Sequence, residues 1–151
     1  MKIVALDCAS KTGWAVYVNG KYSQSGVQNF TKKRGESSGL MFLKFSCWLR
    51  ELLMMTKPDL VAYEQSFKRG GAATEISYGL TTNVQEVCVD LDINYWPATV
   101  SQVKKALTGR GGANKDQMIE AAKPIIGRNP ETDDEADAVG VALAAIAEFS
   151  F

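Results

Sequence analysis

The chain has no histidine, so any chemistry it performs must run on carboxylates, lysines, hydroxyls or thiols. Its three cysteines, Cys8, Cys47 and Cys88, are widely spaced and form no C-x-x-C pair. Without imidazoles or clustered thiols there is no zinc site to propose, and Cys8 reads as a packed small residue rather than a reactive thiol. Four acids carry more weight. Asp7 follows the apolar run Ile3–Leu6, and Glu64 follows Leu60–Tyr63. Asp134 and Asp137 stand three apart at the start of a small-residue helical pattern, hence on one helix face. Each alone has an ordinary reading, as a turn residue after a strand or a helix-start acid complementing the macrodipole. Thr132 with Glu135 makes a capping-box pattern, which assigns Asp133 and Glu135 to starting the helix. Brought together, four anions would repel and take up protons unless cations intervened. An all-oxygen set selects Mg²⁺ or Mn²⁺ over softer metals. Two such ions about 3.5–4 Å apart can clamp the attacking and leaving oxygens of a phosphodiester.

The acids meet only if the elements carrying them allow it. At 151 residues the chain is read as a single domain, residues 1–151, with no repeat or linker. Lys2–Leu6 reads as a short buried strand and Ser10–Gly13 as a turn; Trp14–Val18 is a second strand. Asn19-Gly20 signals a two-residue hairpin into a third strand, Tyr22–Phe30. Apolar residues at helical steps mark Leu40–Met55, which Lys57-Pro58-Asp59 stops, and Leu60–Tyr63 is a fourth strand. Ala73, Ile76, Leu80, Val84, Val87 and Leu91 mark a long helix, and Ile93–Trp96 a fifth strand ended by Pro97. Helical patterns follow at about Val100–Leu107, Lys115–Ile126 and Asp133–Phe149. The fold class is therefore α/β, a five-stranded mixed sheet with helices on both faces, in the element order of the ribonuclease H-like fold. In such a sheet the first and fourth strands are neighbours, so Asp7 and Glu64 end side by side, where α/β sheets place ligands. A last helix packed back across the sheet would bring Asp134 and Asp137 to them.

The net charge is zero, but it is segregated: residues 101–128 carry six basic and two acidic side chains, and residues 129–151 none and six. With acids sequestered around cations, the remaining surface is positive, so neutrality does not exclude DNA. Lys68-Arg69-Gly70-Gly71 and Gly109-Arg110-Gly111-Gly112 combine charge with open backbone that can follow a phosphate chain; Lys32-Lys33-Arg34 reads equally as a solvated loop. No apolar run approaches the ~18 residues that span a bilayer, no signal peptide is evident at Met1–Asp7, and the expected location is the cytoplasm, of a bacterium or of a virus-infected host cell, with no membrane partner.

Four motifs resemble those of the RuvC Holliday-junction resolvases, in that family's order and near its spacing across almost the whole chain. Leu6-Asp7 matches the opening acid, and Glu64-Gln65-Ser66-Phe67 is similar to its Glu-Gln-x-Phe motif. Val103–Lys115 is similar to its VK…TG.G.A.K segment, and Asp134-Glu135-Ala136-Asp137-Ala138 to its closing D-x-x-D-A helix. The chain is also read as a candidate for the compact viral members of this group, which can cut a wider range of branched DNA. The resemblance implies that Asp7, Glu64, Asp134 and Asp137 hold two Mg²⁺ ions (Mn²⁺ substituting), that Lys115 sits beside the scissile phosphate as a catalytic group, and that Lys104 contacts the nearby backbone. It implies further that Phe67 stacks on a base at the junction centre, with Lys68, Arg69, Lys105 and Arg110 on DNA. The partner implied is branched DNA, a four-way junction, cut by a homodimer whose candidate face is the Ala73–Leu91 helix. Where bacterial members follow the first acid with Pro-Gly, this chain has Cys8-Ala9-Ser10 and lacks a basic C-terminal tail, so its turn and its strictness for junctions are expected to differ. The rival readings are another ribonuclease H-like nuclease, a DNA-binding module without catalysis, and an actin-like ATPase, which needs two such domains.

Overall fold

The structure, a computed structural model, describes residues 1–66 and 70–150; Phe67, Lys68 and Arg69, all expected on DNA, lie outside the described residues. The first three strands form an antiparallel meander: β1 (Lys2–Asp7), β2 (Lys11–Val18) and β3 (Lys21–Asn29). Asn19 and Gly20 turn between β2 and β3 with φ of 51° and 78°, the left-handed pair that the expected two-residue hairpin requires. After α1 (Ser38–Thr56), β4 (Leu60–Glu64) runs parallel to β1. After α2 (Ala72–Asp90), β5 (Asn94–Ala98) runs parallel to β4. Three helices complete the chain: α3 (Val100–Thr108), α4 (Lys115–Ile126) and α5 (Asp133–Phe149). The sheet order β3-β2-β1-β4-β5 is the expected mixed sheet with the two acid-bearing strands adjacent. Among the described residues no helix is long and apolar enough to cross a membrane.

Two strand boundaries differ from expectation by more than one residue. Lys11, Thr12 and Gly13 are paired with Asn29, Gln28 and Val27, so they belong to β2 rather than to a turn. The reversal is confined to the residues before them, where the Thr12 hydroxyl donates to the Ala9 carbonyl at 2.7 Å. Pro97 does not end β5, which continues to Ala98. This strand is at the sheet edge, where one row of N–H groups has no strand to bond and proline is tolerated.

Strand alternation divides the core in two. Val4, Leu6, Val16, Val61 and Tyr63 face α1 and α2, packing on Phe45, Leu49, Leu53, Leu80 and Val84. Burying each of these large side chains contributes about 1.5–3 kcal/mol before conformational entropy is subtracted. Ile3, Ala5, Ala15, Leu60 and Ala62 face the other way, against α5 with α3 and α4 beside it. Ala5, Ala15 and Ala62 of this second face meet a helix that presents Ala138, Ala142 and Ala145, so α5 can lie close to the sheet. The same alternation continues one step past the apolar runs: Asp7 follows Ile3 and Ala5, and Glu64 follows Leu60 and Ala62. Both acids are thereby on the α5 face.

Candidate active site

Parallel pairing of Leu6 with Tyr63 sets Asp7 and Glu64 next to each other at the ends of β1 and β4. The first turn of α5 arrives over the same strand ends. Thr132 starts this helix, its side chain accepting from the Asp134 and Glu135 N–H groups at 3.1 and 3.4 Å. The expected capping box is only half made. Glu135 does not return to Thr132; it accepts from the Glu131 N–H at 2.7 Å and is buried against Arg128 and Ser25. Intact boxes occur instead at Thr99/Gln102 and Asn114/Gln117, which start α3 and α4.

Gly13, paired with Asp7 across the β1–β2 ladder, allows this approach. A Cβ built there would lie 1.9 Å from the backbone carbonyl oxygen of Asp134. Neither backbone can yield without moving the start of α5. Gly13→Ala is expected to lower the melting temperature by several degrees, from an overpacking cost of about 1–3 kcal/mol. It should also lower the nuclease activity proposed below by more than that loss explains. Thermal melts and initial rates check both; a variant with wild-type values would show that the contact is not restrictive.

The electrostatics follow from the crowding. Burial pushes Asp7 well above the ordinary carboxylate range, and the charges of Glu64, Asp137 and Asp134 push it further. Burial also raises Glu64 to about 7, with Asp137 adding and Lys104 opposing. Asp137 rises to about 6, chiefly through burial, against a hydrogen bond with Asp7 that draws it down. Burial raises Asp134, while its hydrogen bond with Asp7 and the charges of Lys115 and Lys11 pull the other way. Among the described residues no three Asp, Glu or Cys side chains are closed tightly enough to hold an ion as they stand. The four acids are nonetheless neighbours, joined by hydrogen bonds and mutual repulsion, with protons supplying the compensation. A group of partly buried carboxylates that bind protons this readily, with no imidazole or thiolate among them, fits hard divalent cations. The adjacent Cys8 thiol is raised by burial and by Asp7 and Glu64, so it stays protonated.

Asp7, Glu64, Asp137, Lys104 and Lys115 line a cleft of about 550 Å³. Lys115, at the start of α4, extends into solvent with its ammonium 3.5 Å from Asp133. Asp133, assigned above to starting the helix, thus also restrains a cleft lysine, although so exposed a pair contributes less than about 1 kcal/mol. Lys104 stands near enough to Glu64 and Asp137 to favour their ionised forms. Lys105 does not line the cleft: it borders a groove between α3 and the far end of α5 with Ala144, Ala147 and Glu148. Arg110 is exposed in the α3–α4 connection, outside the cleft lining.

Some residues around the acids were not legible from the chain. Lys11, near Asp134, lies in a stretch read as a turn. Ser66 and Ser77, whose hydroxyls meet at 2.7 Å, line the same cleft as the two lysines. Ser66 occupies the variable position of the Glu-Gln-x-Phe motif, which gives no reason to single it out.

The model of the family described as "Crossover junction endodeoxyribonuclease RuvC" matches residues 3–145. The chain belongs to the RuvC family. Among curated RuvC proteins, that of Caldicellulosiruptor saccharolyticus is 28% identical over 153 residues, covering 97% of this chain and 92% of the relative. Among solved structures, Thermus thermophilus RuvC superposes with a TM-score of 0.80 at 22% identity, covering 98% of this chain and 96% of that one. The same RuvC in complex with a Holliday junction substrate gives 0.81 at 22% identity, covering 95% and 92%. At that identity the superposition establishes the RuvC fold, and the site has to be argued from this chain's own residues.

Proposed function

We propose that the chain is a structure-specific DNA endonuclease that resolves Holliday junctions and related branched DNA. The observation that carries this reading is the meeting of Asp7, Glu64, Asp134 and Asp137 in one partly buried, proton-hungry group at the edge of a lysine-flanked cleft. These four acids would hold two Mg²⁺ ions, or Mn²⁺ in their place. When bound, the ions supply Lewis-acid chemistry at the phosphodiester, with hydrolysis leaving a 5′-phosphate and a 3′-hydroxyl. Lys115 reaches from the cleft mouth to the scissile phosphate, and Lys104, held closer to the acids, steadies the adjacent backbone charge. The hydroxyls of Ser66 and Ser77 offer neutral donors to the same strand. Phe67, Lys68 and Arg69, three to five positions after Glu64 in the chain, are assigned to DNA contact by the family motif and their charge, and Arg110 adds charge at the α3–α4 connection.

The working form is a homodimer, which sets two clefts on opposed strands of a four-way junction, in the cytoplasm. One face of α2 is buried inside the protomer through Leu80, Val84 and Val87. Its other face leaves Tyr78 43% and Val89 71% exposed, which suits it to pairing with a second copy.

The deciding experiment incubates the protein with labelled four-way, Y-shaped and linear DNA and with an RNA–DNA hybrid, with and without Mg²⁺. Mg²⁺-dependent cutting of the branched substrates is expected; preference for the hybrid would assign the chain another ribonuclease H-like chemistry. The lysines give a separate prediction. Lys115→Ala is expected to slow cleavage about 10–100-fold, as loss of a positioned charge at the transition state does. It should also reduce the slope of log binding constant against log salt by about one. An unchanged slope would place Lys115 off the phosphate chain.

A further inference from the structure

Glu135 is fully buried and lies between Asp134 and Asp137 on the first turn of α5, yet it does not line the cleft. Arg128 grips it as a fork, Nη1 donating to Oε1 at 3.0 Å and Nη2 to Oε2 at 2.7 Å. Ser25 Oγ donates to Oε2 at 2.5 Å and the Glu131 N–H to Oε1 at 2.7 Å. Arg128 also donates to the Ser25 carbonyl at 3.3 Å and the Asn129 carbonyl at 3.0 Å, and the Tyr22 hydroxyl meets Ser25 Oγ at 2.8 Å. This hub ties the start of α5 to β3 and to the connection from α4. An apolar pair could fill such a space at equal or better stability. What a forked guanidinium–carboxylate contact adds is direction, since the two planes meet in one orientation. On the strand side, Gly13 of β2 is in close contact with the Asp134 carbonyl. The turn bearing both acids is therefore fixed from β2 and from β3.

Resting on the metal-dependent reading above, we infer that Glu135 and Arg128 are positioning residues that hold Asp134 and Asp137 in ion-binding geometry against the repulsion of the four acids. They touch neither DNA nor ion. The loss of a partner one step removed from metal ligands typically weakens metal affinity or activity 10–100-fold.

The test titrates MnCl₂ into the full chain by calorimetry, alongside melting temperatures and junction-cleavage kinetics. Four proteins are compared: wild type, Arg128→Lys, which keeps the charge but loses the fork, Ser25→Ala, which removes a single donor, and the double variant Glu135→Met/Arg128→Met. Arg128→Lys is expected to bind Mn²⁺ at least about tenfold more weakly, with KM for the junction unchanged and kcat restored at saturating Mn²⁺. The double variant should melt within a few degrees of wild type and still bind Mn²⁺ weakly, which a merely stabilising contact would not produce. Ser25→Ala should show the same pattern, smaller. Mn²⁺ affinity that is unchanged in these variants, or that rises and falls with melting temperature, overturns the inference while leaving the nuclease reading intact. A folded wild type that binds no Mn²⁺ overturns both.

Discussion

Asp7→Asn is expected to abolish cleavage, by about 10³-fold or more, while four-way junction binding stays within a few-fold and the metal-free protein melts at a higher temperature. Loss of about 4 kcal/mol of transition-state stabilisation corresponds to that rate. Asp7 is the acid through which the group is joined, hydrogen-bonded with Asp134 and Asp137 and raised by the charge of Glu64. An amide keeps its size but contributes no charge to a divalent ion, so the chemistry fails. The lysines and loops to which DNA contact is assigned in the proposal are untouched, so binding is expected to persist. Asp7 must take up a proton to lie buried among the other acids, whereas an amide need not, which relieves the native state by about 1 kcal/mol, or roughly 2–4 °C for a chain of this size. Gel-shift titrations in EDTA, single-turnover cleavage and thermal melts measure the three effects. A variant cutting within tenfold of wild type would take Asp7 out of the mechanism, and a lower melting temperature would contradict the crowding.

The second large effect is a stability that depends on pH and on divalent ions together. Glu64 is raised to about 7 and Asp137 to about 6, against ordinary values near 4 in the unfolded chain. The folded state therefore binds protons more tightly than the unfolded one. Folding takes protons up between about pH 4 and 7, and the metal-free protein loses stability as pH rises through that window. Below it both states are protonated and there is no penalty; above it the penalty is complete. For two partly exposed, interacting groups the total is on the order of 3 kcal/mol, or roughly 5–10 °C. Ions compete with those protons for the same oxygens. Added Mn²⁺ should raise the melting temperature strongly at pH 8, by mass action on the folded state, and hardly at all at pH 5. Melts at the two pH values, with EDTA or with Mn²⁺, give the comparison. A metal-induced shift that is equal at both would mean that the ions bind away from these carboxylates.

The elements were legible because their signals are local. Helical steps of apolar residues placed α1 and α2 to within two residues and α4 and α5 to the residue, and Asn19-Gly20 announced its hairpin through backbone chirality alone. The two misplaced strand limits have tertiary causes. Lys11–Gly13 looks like a turn until β3 supplies the hydrogen-bonding partner, and Pro97 looks like a terminator until β5 is known to be an edge. The four candidate acids could be named from motif order, since Asp7 and Glu64 sit one alternation step beyond apolar strands. Glu135 shows the opposite case. Thr132 and Glu135 have capping-box spacing, and nothing near them in the chain indicates that Arg128 and Ser25, 7 and 110 positions away, will capture the carboxylate.

Residue types and their periods determined on their own that this protein is an α/β domain whose chemistry runs without imidazole, and which acids and lysines are available for it. Only the tertiary structure decided which face of the sheet those acids share, how closely α5 approaches over Gly13, that Lys104 and Lys115 border the cleft while Lys105 lies elsewhere, and that a fifth carboxylate is bound to a guanidinium. The reason is one of range. Backbone preferences and hydrophobic periods act over a few residues and are written in consecutive positions. Burial, charge repulsion and forked hydrogen bonds depend on which surfaces meet, and those surfaces come from segments more than a hundred residues apart.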